Sequence, residues 1–455
     1  MKFIKDSLKI KCIKGSFETL PLLCLTVAAF LLLPYLSIAQ QEKKTVPDSK
    51  GQQEKKTVPD GTDGSVHIVS SDDYLKKKRP PNEFEGTYST IRIGMGYILD
   101  AAAYSQDAVF KKQMDSAGLS FDNKIETRDA RILASGVFKT KRTFSWKFGM
   151  MYDGDKKTWL LRETGLTIGV PEMFGHIFIG RTKEGYSMVK VMNGHSPWAA
   201  ERQMALDVIP ILADGIKWLG YMPKSRVFWN IGYFNDLISK GQSFSTFAWQ
   251  YDARIGWLPF YNKEKNKVFH VATNFRYGKP IDGKIALKSR PESNPAPQII
   301  NTGTFTTDKS THFGGEAYYS TGQLLIGSEV NLHKFNASVG EDHSFFGGDV
   351  FVTYIFTKAR RPYTTTGSIF GFVPVTKSVY KGGWGEWEAM LRFSTLDLED
   401  GSIHGGKFWR ITPMINWYMT KAFRTEFIYG YGILDRYGMK GVVQVFQVRL
   451  QLTVM

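Results

Sequence analysis

Long stretches of this sequence alternate strictly between apolar and polar side chains, and that period of two fixes the element type. In 87–99, Ile91, Ile93, Met95, Tyr97 and Leu99 share one face, opposite Thr90, Arg92, Gly94 and Gly96. In 143–152, Phe144, Trp146, Phe148, Met150 and Tyr152 alternate with Thr143, Ser145, Lys147, Gly149 and Met151. Residues 249–257 set Trp249, Tyr251, Ala253, Ile255 and Trp257 against Gln250, Asp252, Arg254 and Gly256. In 409–417, Trp409, Ile411, Ile415 and Trp417 oppose Arg410, Thr412 and Asn416. The last run sets Phe446, Val448, Leu450, Leu452 and Val454 against Gln447, Arg449, Gln451 and Thr453. Side chains that change face at every residue belong to strands with one apolar and one polar side.

Two architectures produce such strands. A soluble sandwich buries the apolar faces and wets the polar ones. A transmembrane barrel turns the apolar faces to lipid and keeps a polar lumen. Trp, Tyr and Phe recur near strand ends, as an aromatic girdle requires. The strands are long enough for a tilted crossing of about 9–11 residues. No segment after residue 39 is long and apolar enough for a transmembrane helix, so insertion requires a closed barrel. The expected fold class is therefore all-β, a transmembrane antiparallel β-barrel over residues 84–455. Dividing that length by sixteen leaves about 23 residues per strand and connection, and sixteen is a common porin count. Fourteen and eighteen strands satisfy the same arithmetic.

The N-terminal part has a different texture. Lys2, Lys5, Lys9, Lys11 and Lys14 precede an apolar run from Leu20 to Leu33, and Ser37-Ile38-Ala39 supplies small residues for cleavage. Residues 1–39 are thus expected to be a signal peptide. Cys12 and Cys24, the only two cysteines, would leave with it. The exported chain would then have no disulfide framework and no thiolate metal site. QQEKKTVPD stands at 40–48 and again at 52–60. Its composition cannot bury enough apolar surface to offset ordering entropy. Residues 40–83 are read as a disordered periplasmic lead-in.

Catalytic patterns are missing from the sequence. Its eight histidines are scattered, without H-E-x-x-H spacing, and no G-x-S-x-G elbow or P-loop occurs. The chain is not expected to be an enzyme, to hold a cofactor or a metal, or to bind nucleic acid. Its charge carries more information: 59 Lys and Arg against 43 Asp and Glu leave +16 at pH 7. On the traced strands the polar faces carry Arg92, Arg131, Lys147, Arg254, Arg276, Arg392, Arg410, Arg424 and Arg449. Their acids are Asp129, Asp252, Glu388 and Glu426. Such an excess in a narrow lumen would favour anions, because low-dielectric walls focus the field. A connection from near Lys183 to near Arg226 is long enough to fold inward as a constriction. The residues expected to line an anion path are Arg131, Lys147, Arg181, Lys183, Arg202, Arg254, Arg276 and Arg392.

GGWGEWEAMLRFSTLDLEDGSIHGG at 382–406, then ITPMINWYMTKAFRTEFIYGYGILDR, resembles the closing strands of the phosphate-selective porin O and P family. Upstream, GRTKEGYS at 180–187, Glu201-Arg202, IGYFND at 231–236 and ARIGWLPF at 253–260 resemble further segments of that family. The resemblance implies a sixteen-stranded outer-membrane barrel, usually a homo-trimer, passing small anions such as phosphate through a Lys- and Arg-lined constriction. Gly185 and Asp236 depart from the pattern, and Met455 replaces the usual terminal aromatic. The partners implied are small anionic solutes and outer-membrane lipid. A general or sugar-permeable porin and an exported soluble β-protein that binds surface polymer are the competing readings.

Overall fold

The computed structural model describes residues 79–238 and 247–455. The expected signal peptide and nearly all of the lead-in lie outside the described residues. The remainder is a closed antiparallel barrel of sixteen strands. In chain order they begin with β1 Thr90–Gln106, β2 Lys124–Val137 and β3 Phe144–Asp153. The fourth crossing, β4, comes in two pieces, Thr158–Leu161 and Thr164–Val170. Then follow β5 Gly175–Thr182, β6 Ala213–Met222, β7 Val227–Asn235 and β8 Phe247–Asn262. The next four are β9 Lys267–Pro280, β10 Lys309–Thr321, β11 Leu324–Asn336 and β12 His343–Ile355. The last four are β13 Glu386–Asp400, β14 Ile403–Tyr418, β15 Phe423–Arg436 and β16 Met439–Val454. The sheet closes where β16 pairs with β1, from Met95 opposite Val454 to Gln106 opposite Val443. Closure leaves no strand edge unpaired.

The alternation seen in the sequence decides which way each strand faces. Ile132, Phe346 and Val350 turn outward and are 55%, 49% and 48% exposed. Arg254, Arg276, Arg410 and Arg449 point inward and are buried. A soluble protein buries its apolar residues and exposes its charges; this one does the reverse, as lipid requires. Among the described residues no helix is long and apolar enough to cross a membrane.

Connections at the two ends differ. At the end holding the start of β1 and the end of β16, the turns 138–143, 171–174, 223–226, 263–266, 322–323 and 419–422 are short. Short turns mark the periplasmic side of such barrels. The exception there is 356–385, between β12 and β13. The opposite end carries 107–123, with helix α1 Ala108–Ser116, and the long segments 183–212 and 281–308. A two-residue turn joins β15 to β16, with Tyr437 at φ 53 and Gly438 at φ 72. Positive φ at both central residues gives the turn whose twist suits a hairpin.

Two expectations need correction. The long connection ends at 212 rather than near Arg226, because Ala213–Met222 is itself a strand. The lumen is not polar throughout: Trp198, Tyr318, Phe351, Phe370 and Met390 belong to a buried apolar cluster inside the barrel. At the other margin, Glu83–Glu85 adds a short strand beside β1, with Glu83 opposite Arg92. The expected boundary between lead-in and barrel falls within it.

Candidate solute path through the barrel

Three segments fold into the lumen and determine what can pass. The first, 183–212, hangs between β5 and β6 and is pinned on several sides. Tyr186 Oη donates to Asn331 at 3.0 Å, and Gln203 Nε2 to Glu329 at 3.1 Å. Asn416 Nδ2 donates to the carbonyl of Trp198 at 2.8 Å, and Gln451 Nε2 to that of His195 at 2.9 Å. The second segment, 281–308, carries a hairpin of Lys284–Ser289 with Ile300–Thr306 and places Glu292 against Arg392 at 2.6 Å. The third, 356–385, rises from the periplasmic end. Arg361 on it donates to the carbonyl of Ser196 at 2.8 Å and pairs with Glu388 at 2.9 Å. The Trp198 indole stacks on Phe351, centroids 4.5 Å apart, and meets Phe370 edge-on. Segments from both ends of the barrel therefore meet at Trp198.

The charged side chains form two populations. From β8 round to β16 most of the buried arginines are held by carboxylates. Arg254 lies 2.9 Å from Glu316 and also donates to the carbonyls of Gly367 and Ser368. Arg276 lies 2.9 Å from Glu184, over the Phe247 ring. Arg392 holds Glu292, Arg424 lies 3.1 Å from Glu426, and Arg449 lies 2.6 Å from Asp100 while also binding Glu201. Arg410 and Arg436 donate to carbonyls of the second segment. Several of these acids, Glu184, Glu201 and Glu292, come from the inward segments and not from strands.

The sector from β2 to β6 is different. Arg131 shares Asp129 with Arg128, both at 2.7 Å. Lys147 reaches Glu163 only at 3.9 Å. Among the described residues Arg162, Lys183, Arg202 and Lys217 have no carboxylate within ion-pair distance. Lys183 donates instead to the carbonyl of Met192, Lys217 to that of Lys183 at 3.0 Å, and Arg202 to that of Val189 at 3.2 Å. Burial pushes the Lys183 ammonium well below the ordinary lysine range; Glu163 opposes this, while Arg202, Arg162 and Arg131 add to it. Lys147, Lys183 and Lys217 border a cavity of about 110 Å³, together with His176, Glu163, Asn230 and Phe178.

The structure thus gathers Arg131, Lys147, Lys183 and Arg202 in one sector. It places Arg254, Arg276 and Arg392 in the paired sector, each anchoring an inward segment. Arg181 stands apart. It lies opposite Asp214, which it binds at 3.0 Å, and both side chains are buried. Its Nε also donates to the carbonyl of Leu161 at 2.9 Å, so it ties β4, β5 and β6 together. Sequence reasoning missed Arg162 and Lys217. Arg162-Glu163 interrupts β4 between two apolar runs, and Lys217 alternates with Ile216 and Trp218, so both left a signal. Among the described residues no group of three or more His, Cys, Asp or Glu is placed to hold a metal.

The phosphate-selective porin O and P family matches residues 101–454, most of the chain. The chain belongs to that family. It is an outer-membrane porin. An uncharacterised protein of Caulobacter vibrioides is 28% identical over 141 residues, which cover 31% of this porin and 28% of that relative. This porin thus spans less than a third of that relative's length. Among solved structures, the anion-selective porin from Comamonas acidovorans is similar with a TM-score of 0.51 at 12% identity. That likeness covers 80% of this porin and 100% of the other. The outer membrane channel DcaP of Acinetobacter baumannii gives 0.52 at 9% identity, over 82% and 99%. At these identities the likeness is one of fold.

Proposed function

We propose that this porin conducts small anions, phosphate among them, passively along the sector from β2 to β6, after export by the signal peptide 1–39 and assembly as a trimer. One observation carries the reading. Five buried arginines of the far sector, Arg254, Arg276, Arg392, Arg424 and Arg449, are neutralised by carboxylates and Arg410 is capped by a carbonyl, whereas Arg162, Lys183, Arg202 and Lys217 have no carboxylate and Lys147 barely has one. An unpaired cation in a narrow lumen replaces part of an anion's hydration by charge-assisted hydrogen bonds. Several such sites, each weak enough to release the ion, give conduction without trapping. The family's name and the anion selectivity of the Comamonas porin are consistent with this.

A cation about 4 Å from a passing anion contributes roughly 1 kcal/mol in bulk-like water and more in a drier passage. Replacing Lys147, Arg162 and Arg202 together by Gln is therefore expected to lower the anion-to-cation permeability ratio at least about fivefold. The measurement is the reversal potential of single channels across a KCl gradient. An unchanged ratio would transfer the protein to the general or sugar-permeable reading, in which these cations only tile the wall.

A further inference from the structure

The cavity beside segment 356–385 has a lining that a bare inorganic ion does not explain. Three ammonium groups with unused donors line it. Lys147 makes no hydrogen bond among the described residues, and Lys183 and Lys217 each spend one of three on a carbonyl. Both polar atoms of the Asn230 side chain and Nδ1 of His176 are buried there without a partner. Buried polar groups in a folded protein are nearly always satisfied, so atoms left open around a cavity point to something that fills it. The volume is several times what one water needs.

Apolar side chains complete the lining. The Phe178 ring lies 4.8 Å from the Lys147 nitrogen and 5.8 Å from that of Lys217, and Leu219 and Ile369 continue the surface. Phosphate, with oxygens all round, would press some of them against hydrocarbon and lose hydration without compensation. A carboxylate on a small hydrocarbon body matches this mixed lining: its oxygens suit the ammoniums and Asn230 Nδ2, and its body suits Leu219, Val191 and Ile369. Glu163 offsets one positive charge and burial weakens that of Lys183, which leaves enough for a single carboxylate.

We infer that the cavity is a binding site for small organic carboxylates with an apolar body, set at the periplasmic half of the path. The inference deepens the anion-channel reading and rests on it for its place in transport. The test uses the purified full-length protein in planar bilayers, with benzoate and inorganic phosphate as probes at fixed ionic strength. Benzoate is expected to halve the chloride conductance at a concentration at least tenfold below that of phosphate. Leu219→Asp, which puts a carboxylate among the apolar lining residues, should abolish that advantage. Phosphate blocking as well as benzoate, or neither probe blocking, overturns the inference. The wild-type comparison needs no variant, so a misfolded L219D leaves the test intact. Reversal potential recorded on the same channels separates the two readings. A non-selective pore still blocked by benzoate refutes anion selectivity and keeps the site. An anion-selective pore indifferent to benzoate keeps the selectivity and refutes the site.

Discussion

Arg449 and Lys217 both point into the lumen from the body of a strand, and both are buried, yet their surroundings differ in kind. Arg449 grips Asp100 on the neighbouring strand and Glu201 on the inward segment. Lys217 finds a single carbonyl. The difference separates two uses of positive charge within one barrel. A fully partnered guanidinium fixes a segment in place and presents little field to solution. A partly satisfied ammonium keeps its field and spare donors for whatever passes. A count of lumen cations therefore says less about selectivity than a list of their partners.

The largest effect should come from breaking the paired sector. Arg449→Gln leaves Asp100 uncompensated, while Glu201 keeps Arg128 at 2.7 Å, and removing one member of a buried pair costs about 3–5 kcal/mol. The expected readout is an earlier transition of the heat-modifiable barrel on gels or by circular dichroism. Lys217→Gln should cost far less, since no buried carboxylate loses its partner, but should reduce anion preference. Equal destabilisation by both would erase the distinction between the sectors.

Alkaline titration sharpens the same contrast. The Lys183 ammonium is held below its ordinary 10.5, chiefly by burial. It therefore loses its charge at a lower pH than an exposed lysine does. Anion preference should decline as pH rises through a range below 10.5. In Lys183→Gln the preference should start lower and lose that step. An unaltered profile in the variant would remove Lys183 from the path.

A smaller acid effect is expected from His195, which hydrogen-bonds Thr453 at 2.7 Å and is buried. Burial pushes its imidazole down to about 3 from 6.5. The unfolded chain takes up this proton as pH falls past 6.5, whereas the folded one does not. The stability His195 contributes is therefore present above pH 6.5 and lost progressively as pH falls toward 3. His195→Gln should flatten that part of the melting profile, and a profile as steep as the wild type's would contradict it. Deleting residues 40–78 should change neither assembly nor conductance, because that stretch offers no apolar face to pack. Extending the deletion through Glu83 removes the carboxylate that Arg92 binds at 2.8 Å and should weaken the start of β1.

The barrel was legible because period two survives wherever a strand runs unbroken: the apolar faces of 87–99, 249–257 and 409–417 all turn outward. It fails where the backbone is irregular. Gly180, at φ 133, stands opposite Gly165, and a Cβ on it would lie 2.3 Å from the carbonyl oxygen of Thr164. Next to that spot Arg181 keeps the parity of the exposed Ile179 yet is buried against Asp214, which alternation does not foretell. The acids of 183–212 and 281–308 were invisible for another reason. A loop residue has no face until the loop has folded, so Glu184, Glu201 and Glu292 could not be set against Arg276, Arg449 and Arg392 from spacing. Segment 356–385 gave no periodic signal, and its place beside Trp198 depends on contacts with distant strands.

The β1–β16 seam also sets how the chain must assemble. Asp100 and Arg449, which hydrogen-bond across it at 2.6 Å, are 349 positions apart in sequence. Every other neighbouring pair of strands is joined by a turn or a single insertion and can zip locally. The seam alone must wait until the first and last strands find each other across nearly the whole barrel. Contacts of such separation slow folding more than they weaken the product, since the entropy of closing a loop grows only logarithmically with its length. Until that moment two unpaired edges face the medium, and the first and last strands of the barrel share the step that seals it.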